Sequence, residues 1–278
     1  MKDIKNKIFF GSLRNAEGSQ KEKCIGLLQK LIKKQYILFT DRGNTSIRLA
    51  LELMKVLKKK KNLIQDQGGW LTYKDFSKEL GLEAVELETD YGLLNLKLFS
   101  IPDNSFFLIN SMPAYAFYED MKKIFKLKKM LINDISGSIG TKYAKYGNIV
   151  VCSFGKWKTI NCGGGLIATN NYDFFKYFEN SLATEANINF EELYQQLDNI
   201  STTIKKKIKI NKKIKKDLKD MEIIHKKQKG FNVIVKYKDD EEKGKIINYC
   251  NENKYPFVEC PKYIRVNEKA ISIEVKRL

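Results

Sequence analysis

Histidine is almost absent from this sequence, since His225 is the only one among 278 residues and lies in a lysine-rich stretch. That scarcity argues against zinc sites built from two or three histidines, Ser-His-Asp triads and Cys-His pairs. The five cysteines are scattered and form no Cys-x-x-Cys pair, which argues against a disulfide framework and indicates reduced thiols in a cytoplasmic protein. Chemistry must come from lysines, carboxylates, hydroxyls or a bound cofactor.

Long hydrophobic runs are also missing, because none approaches the roughly 20 residues that a membrane span requires. The segment Met1–Phe10 is charged and lacks the apolar core of a signal peptide. We therefore expect a cytoplasmic protein without a membrane anchor. The hydrophobic content of 43% and the aromatic content of 12% are typical of a globular chain.

Arginine is scarce, with 5 residues against 46 lysines, although the net charge is +18. Such a charge allows a nucleic-acid-binding protein, but arginine is the residue that makes bidentate contacts to phosphate and guanine. A lysine excess is also what an AT-rich genome or a thermophile imposes on all its proteins. The net charge alone therefore does not identify a binding partner.

Apolar runs alternate with helical patterns along the first two hundred residues. Most of these runs are apolar throughout, which is typical of strands buried on both faces of a parallel sheet. We predict a large α/β domain over residues 1–200, with an N-terminal arm and a mostly parallel sheet covered by helices. The predicted strands are Tyr36–Phe39, Asn62–Ile64, Ala84–Leu87, Phe106–Ile109, Met130–Asn133, Ile149–Cys152 and Leu166–Ala168.

A linking helix and a small C-terminal α+β domain are predicted over residues 201–278. Helical periodicity with lysines on the outer faces continues to Lys229 and includes Leu218, Met221 and Ile224. A helix over Glu241–Asn251 and four strands follow. The predicted strands are Phe231–Tyr237, Pro256–Val258, Tyr263–Val266 and Ala270–Val275.

A glycine-containing turn joins the first predicted strand to a helix. The turn is Asp41-Arg-Gly43-Asn44, and the helical period begins at Thr45. Free backbone N–H groups and the helix dipole at such an N-terminus can hold a phosphate. The same residues also make an ordinary helix cap, so the turn alone leaves both interpretations open.

The most informative segment is Ser153-Phe-Gly-Lys-Trp-Lys158, which is followed by the glycine run Gly163–Gly165. It places Lys158 in a turn between two apolar, strand-like runs. A lysine held in such a turn is suited to form an imine with a carbonyl cofactor. The alternative is a β-hairpin with a solvated lysine.

Three segments, taken in order, resemble the DegT/StrS-type aminotransferases, pyridoxal phosphate (PLP) enzymes of fold type I that are best known for aminating keto-sugars. Ser153–Thr169 resembles their Ser-Phe-x-x-x-Lys…Gly-Glu-Gly-Gly…Thr signature, and Leu131–Gly140 resembles their Glu-Asp-Ala-Ala-Gln-Ala-Leu-Gly segment. Gly43–Leu51 resembles their phosphate-binding turn and helix. The resemblance implies the fold of a fold type I PLP-dependent transferase.

The resemblance also implies a role for each matched residue. Lys158 would form the internal aldimine with PLP, and Asp134 would pair with the pyridine nitrogen and keep it protonated. Trp70 falls where the family has the aromatic ring that stacks on the cofactor. The residues expected at the phosphate are Asn44, Thr45, Ser153 and, from the partner subunit of a homodimer, Asn187.

Each of these assignments has a competing interpretation from the sequence. Lys156 is a second amine nearby, although the family spacing selects Lys158. Asp134 is also placed to cap the turn that follows it. Tyr73 competes with Trp70 as the stacking ring, and a buried structural tryptophan is a further alternative.

Three glycines depart from the family pattern. Gly155 replaces a frequent histidine, Gly163 replaces the usual glutamate, and Gly137 replaces the glutamine that contacts the PLP hydroxyl. Arg265 is a further candidate, for binding a substrate carboxylate.

We therefore expect a PLP-dependent aminotransferase-like enzyme that moves an amino group between an amino donor and a keto acceptor, keto-sugars included. No metal is required for this chemistry. The glycine substitutions keep open a second class, a PLP-binding or regulatory protein that retains the fold with little catalytic activity. A basic nucleic-acid-binding protein is the third class.

Overall fold

The computed structural model describes residues 19–96, 100–183 and 186–278, so the predicted N-terminal arm lies outside the described residues. The described helices are α1 (Gln20–Ile32), α2 (Gly43–Val56), α3 (Thr72–Glu79), α4 (Met121–Phe125), α5 (Tyr172–Ser181), α6 (Phe190–Asp198), α7 (Ile200–Asp217) and α8 (Asp240–Glu252). None of the helices in these ranges is long and apolar enough to cross a membrane.

The described strands fall into a large, a small and a two-stranded sheet. Those of the large sheet are β1 (Tyr36–Thr40), β2 (Lys61–Gln65), β3 (Glu83–Leu87), β6 (Ser105–Asn110), β7 (Met130–Asp134), β8 (Ile149–Ser153) and β9 (Gly165–Thr169). The remaining strands are β4 (Thr89–Asp90), β5 (Leu93–Leu94), β10 (Val233–Lys236), β11 (Phe257–Glu259) and β12 (Ala270–Ile273).

The large sheet has the strand order β1-β9-β8-β7-β6-β2-β3. Neighbours from β8 to β3 pair in parallel, whereas β9 runs antiparallel to both β1 and β8. The prediction of a mostly parallel sheet is therefore confirmed. Since its parallel strands point the same way, their carboxyl ends meet along one edge, where ligands of α/β proteins bind.

Helices cover both faces of this sheet, which explains why most of its strands are largely apolar. Along β8, Val150 and Cys152 pack on the side of α1 and α6, whereas Ile149 and Val151 pack on the side of α2 and α5. A capping box in which Ser19 and Glu22 exchange hydrogen bonds starts α1. The two cores fix the sheet between helical layers and hold its carboxyl edge in place.

The C-terminal region contains an antiparallel sheet of order β10-β12-β11, and α7 leads into it. Buried apolar side chains of α7, α8 and these strands form one cluster. This region therefore has an α+β arrangement, with two differences in detail from the sequence prediction.

Both differences concern the type of local structure. The predicted helix through Leu218–Ile224 is wrong, because α7 ends at Asp217 and Ile224 donates its N–H to Ile234 of β10. The predicted strand at Tyr263–Val266 is also wrong. Residues Lys262–Ile264 form a 3₁₀ turn there, and Arg265 caps it in a left-handed conformation.

Candidate active site

The candidate site lies at the carboxyl edge of the large sheet. Asp134 ends β7, Ser153 ends β8, and the β8–β9 connection carries Lys158. The first turn of α2 faces the same cavity through Gly43 and Asn44. Five of the seven residues expected at a cofactor site line this cavity, namely Asn44, Trp70, Asp134, Ser153 and Lys158.

The start of α2 lies directly against the end of β8. A Cβ placed on Gly43 would lie 2.5 Å from Ser153 Cβ, so any larger residue at this position would push the helix away from the strand. Arg42, the N-cap residue, makes no side-chain hydrogen bond to the helix. The first turn of α2 thus lines the cavity and has no side-chain cap, which is the arrangement that binds a phosphate.

Asp134 is 6% exposed and its carboxylate is held by three hydrogen bonds. Ser136 donates from its backbone N–H (2.9 Å) and from its hydroxyl (2.6 Å) to Oδ1, and the Tyr73 hydroxyl donates to Oδ2 (2.6 Å). Asp134 therefore does cap the turn that follows it. It also lines the cavity, so the two interpretations of this residue are compatible.

Tyr73 lies on α3 and is fully buried, so it is not placed to stack on a ligand in the cavity. Burial and the nearby Asp134 carboxylate raise the pKa of the Tyr73 phenol well above its ordinary value. The phenol therefore stays protonated and donates to Asp134. Tyr73 is a positioning residue for that carboxylate rather than the stacking ring.

We expect Tyr73→Phe to lower the free energy of unfolding by about 1.5–3 kcal/mol, because a buried hydrogen bond to a charged group is lost without a change of shape. Urea denaturation of the protein without added cofactor measures this change. Tyr172→Phe is the matched control, since Tyr172 is 52% exposed. Equal stability of the two variants would show that the Tyr73 hydroxyl does not hold Asp134.

Lys158 directs its amine toward two aromatic rings. Its Nζ lies 4.6 Å from the centre of the Trp70 ring and 5.3 Å from that of Tyr115. Within the described ranges, the amine has no hydrogen-bond or ion-pair partner. Burial lowers the pKa of the Lys158 ammonium, although the negative charge of Asp134 opposes that effect. A lysine in such surroundings can act as a nucleophile.

Lys156 points elsewhere. It is exposed, and its Nζ lies 4.9 Å above the ring of Trp157. Trp157 adopts a left-handed backbone conformation with φ 65°, which is strained for a bulky residue. The chain turns at this point, and Lys158 lines the cavity while Lys156 does not.

Trp70 forms one side of the cavity. Its indole N–H donates to Asn44 Oδ1 at 2.9 Å, which ties the ring to the first turn of α2. The ring face toward Lys158 is the surface on which a flat ligand would stack. Of the two aromatic candidates, the structure places Trp70 in the cavity.

A second cavity adjoins the first and shares Trp70, Asp134, Ser136 and Lys158 with it. Tyr115 and Lys276 also line it, and the Lys276 amine lies 4.3 Å from the centre of the Tyr115 ring. Sequence reasoning missed both residues, since neither belongs to a matched segment. Ser136 was missed as well, although the spacing Asp134-x-Ser136 is a recognisable side-chain turn.

Three other candidates do not line these cavities. The Thr45 hydroxyl donates to Asp41, Asn187 is exposed in the segment before α6, and Arg265 pairs with Glu86 at 3.3 Å. Because its hydroxyl is engaged in this way, Thr45 can contribute only its backbone N–H to a ligand at the start of α2. Arg265 also donates to the Asp66 carbonyl, and its role in binding a substrate carboxylate stays a prediction.

The glycines at positions 137 and 163, which depart from the family pattern, have local explanations. A Cβ on Gly137 would lie 3.0 Å from both Met112 Cβ and Tyr115 Cδ1, so these side chains fill the space that a glutamine would need. Gly163 has φ +81°, a conformation that disfavours glutamate. The Gly155 N–H donates to Ser153 Oγ at 3.2 Å.

Comparison with known proteins adds a partial sequence match and many structural ones. Residues 201–278 match the model of the MJ1341 family C-terminal domain. A search of curated protein sequences finds no match.

Solved structures resemble nearly the whole described fold at low sequence identity. NtdA from Bacillus subtilis with bound cofactor PMP is 16% identical, with a TM-score of 0.66 over 94% of this chain and 73% of that protein. A DegT DnrJ EryC1 StrS aminotransferase from Brucella abortus is 12% identical, with a TM-score of 0.71 over 94% and 86%. An aromatic aminotransferase from Pyrococcus horikoshii is 16% identical, with a TM-score of 0.64 over 92% and 80%. The chain therefore has the fold of the fold type I PLP-dependent transferases.

Proposed function

We propose that this protein is a PLP-dependent aminotransferase-like enzyme of the DegT/StrS type, which moves an amino group between an amino donor and a keto acceptor. The observation that carries the proposal is the meeting of a lysine amine, a buried carboxylate and an uncapped helix N-terminus in one cavity. We further propose a homodimer in the cytoplasm, to which Asn187 of a partner subunit would contribute.

The residues present fit the cofactor. The start of α2 and Ser153 would hold its phosphate, Trp70 would cover one face of its ring, and Asp134 would meet the pyridine nitrogen. When bound, PLP supplies an electron sink for the bond that breaks at the substrate Cα. The chain contributes binding, orientation and the proton carrier.

Asp134 is suited to its role because its position is fixed before any ligand arrives. Tyr73 and Ser136 donate to its two oxygens, so the carboxylate is fixed in orientation. A carboxylate so placed stabilises a protonated ring nitrogen, and the protonated ring withdraws electrons more strongly.

Lys158 is suited to act as nucleophile and proton carrier. Its lowered pKa makes the neutral amine available nearer to neutral pH than for an exposed lysine. Within the described ranges the amine faces the Trp70 and Tyr115 rings and forms no ion pair, so none has to be broken before it reacts.

The test is a titration of the purified chain with PLP, followed by addition of amino acids. We expect a visible absorbance band of lysine-bound cofactor, and a loss of that band when a suitable amino donor is added and its amino group is transferred. Absence of any band after incubation with PLP would contradict the proposal.

One observation favours a second candidate, a PLP-binding protein without efficient catalysis. Met112 and Tyr115 occupy the space in which a side chain at position 137 would approach the cofactor. In that case PLP would still bind to Lys158, but no amino acid would change the absorbance band. The same titration thus separates the two candidates.

A further inference from the structure

A third pocket adjoins the candidate active site on the side of α7, and we call it the outer pocket. Four cationic side chains line it, namely Lys158, Lys207, Lys276 and Arg277. Polar side chains and one exposed ring complete its lining. These are Trp157, Thr159, Asn161, Gln195, Gln196, Asn199 and Thr203, with Leu278 at the edge.

The cations of the outer pocket are crowded and only partly neutralised. Lys207 and Lys276 are 6% and 7% exposed. Among the described residues, the ion pairs of these four cations all go to Glu274, which lies 3.3 Å from both Lys276 and Arg277. Burial, followed by the charge of Lys276, lowers the pKa of Lys207 to about 8. Glu191 and Glu192 accept from Gln195 and Gln196 of the lining, and the charge of Asp134 acts on Lys158 from the adjoining cavity.

Several contacts hold these cations in place. Lys207 donates to the Lys276 carbonyl at 2.7 Å, and the Lys276 amine lies over the Tyr115 ring. The Arg277 guanidinium lies 4.3 Å above the ring of Trp157. Fixed positive groups that are already partly desolvated bind an anion with less ordering cost than mobile surface lysines do.

The outer pocket communicates with the candidate active site. Lys158 and Lys276 line both the outer pocket and the second cavity beside Asp134. A molecule with an anionic group among Lys207, Lys276 and Arg277 would therefore extend toward the Lys158 amine.

We propose that the outer pocket binds the anionic end of the substrate, a phosphate or carboxylate group remote from the carbon that exchanges its amino group. This inference rests on the proposed function, because it assigns Lys158 to the reacting carbon. Arg277 and Lys276 are the principal anion contacts. The amides of Gln195 and Asn161 and the Thr203 hydroxyl surround them.

Inorganic phosphate and glutarate are the probes, and tryptophan fluorescence is the readout. The sequence has two tryptophans, so the Trp70→Phe variant reports on Trp157 alone, whose ring touches Arg277. We expect a saturable signal with at least one probe, in the protein without PLP and in the PLP-loaded protein. The tighter probe identifies the anionic group as phosphate or carboxylate.

Two variants test whether residues of the outer pocket bind the probes. Arg277→Gln is expected to weaken probe binding on the order of tenfold, the loss typical of a charged hydrogen bond. Thr203→Glu keeps all four cations but adds a carboxylate to the pocket, and should abolish binding. Its position in the first turn of α7 favours an acidic residue, so the helix should tolerate it. The control is Lys206→Gln, which changes an exposed lysine of α7 outside the pocket.

The proposal fails if neither probe binds saturably, or if Lys206→Gln weakens binding as much as Arg277→Gln does. A phosphate signal that Thr203→Glu leaves unchanged would place the anion at the start of α2 instead, and would also overturn it. Because the first titration contains no PLP, its result is independent of cofactor binding. Failure of the outer pocket and failure of the proposed function are therefore distinguishable.

Discussion

Replacing Lys158 with alanine is expected to abolish covalent capture of PLP and to slow amino transfer by about 10²–10⁴-fold or more, since the variant lacks both the nucleophile and the proton carrier. In the wild-type protein, borohydride reduction after PLP loading should fix the cofactor to the peptide that contains Lys158. Absorbance measures the capture of PLP, and peptide mapping after borohydride reduction locates the labelled lysine. Single-turnover rates with amino acids measure amino transfer.

Lys156→Ala is the matched control. Both amines lie in the same turn, but Lys156 is exposed and its amine lies over the Trp157 ring. We expect this variant to load PLP as the wild type does. A borohydride label on Lys156 in the wild-type protein would show that the wrong amine has been assigned.

Replacing Asp134 with alanine is expected to reduce amino transfer by orders of magnitude while Lys158 still captures PLP. The ring nitrogen would lose its charged partner, and with it the proton that makes the cofactor a strong electron sink. PLP affinity should fall as well, because a charged hydrogen bond contributes about 1.5–3 kcal/mol. Equilibrium titration with PLP and rates of the half-reaction with amino acids separate the two effects.

Asp134→Asn is the companion variant, because it retains the size of the side chain and an oxygen that can accept from Tyr73. It should fold as the wild type does, yet lose amino transfer to a similar degree as the alanine variant. Half-reaction rates that stay at the wild-type value in both variants would remove Asp134 from the site.

Much of the fold could be predicted because the strands of a parallel sheet are buried on both faces and appear as short apolar runs. Ile149–Cys152, for example, is apolar throughout and forms most of β8. The region after Asp217 could not be predicted in the same way. Ile223 and Ile224 continue the helical spacing, but they pair with residues of β10 that lie further along the chain. Tertiary pairing overrides local periodicity there.

The site was predictable where its residues lie in short segments with fixed spacing. Lys158 and Asp134 belong to such segments, and both line the cavity. Tyr115 and Lys276 do not. Tyr115 reaches the site because it and Ala114 both adopt left-handed conformations, with φ of 58° and 51°, and no glycine signals that turn in the sequence. Contacts between segments that are far apart in the sequence leave no local sequence pattern from which these residues could be predicted.

Because β8 pairs antiparallel with β9, the side of the site that carries Lys158 and the side that carries Lys276 depend on different parts of the fold. Ser153 lies opposite Gly165 in the register, so the loop that carries Lys158 is closed locally, and closing a short loop costs little entropy. Lys276 reaches the same cavity only through the C-terminal sheet. If that sheet opened in a sub-global fluctuation, the β8–β9 connection and Asp134 would keep their local structure. Only the side of the site that carries Lys276 would open to solvent.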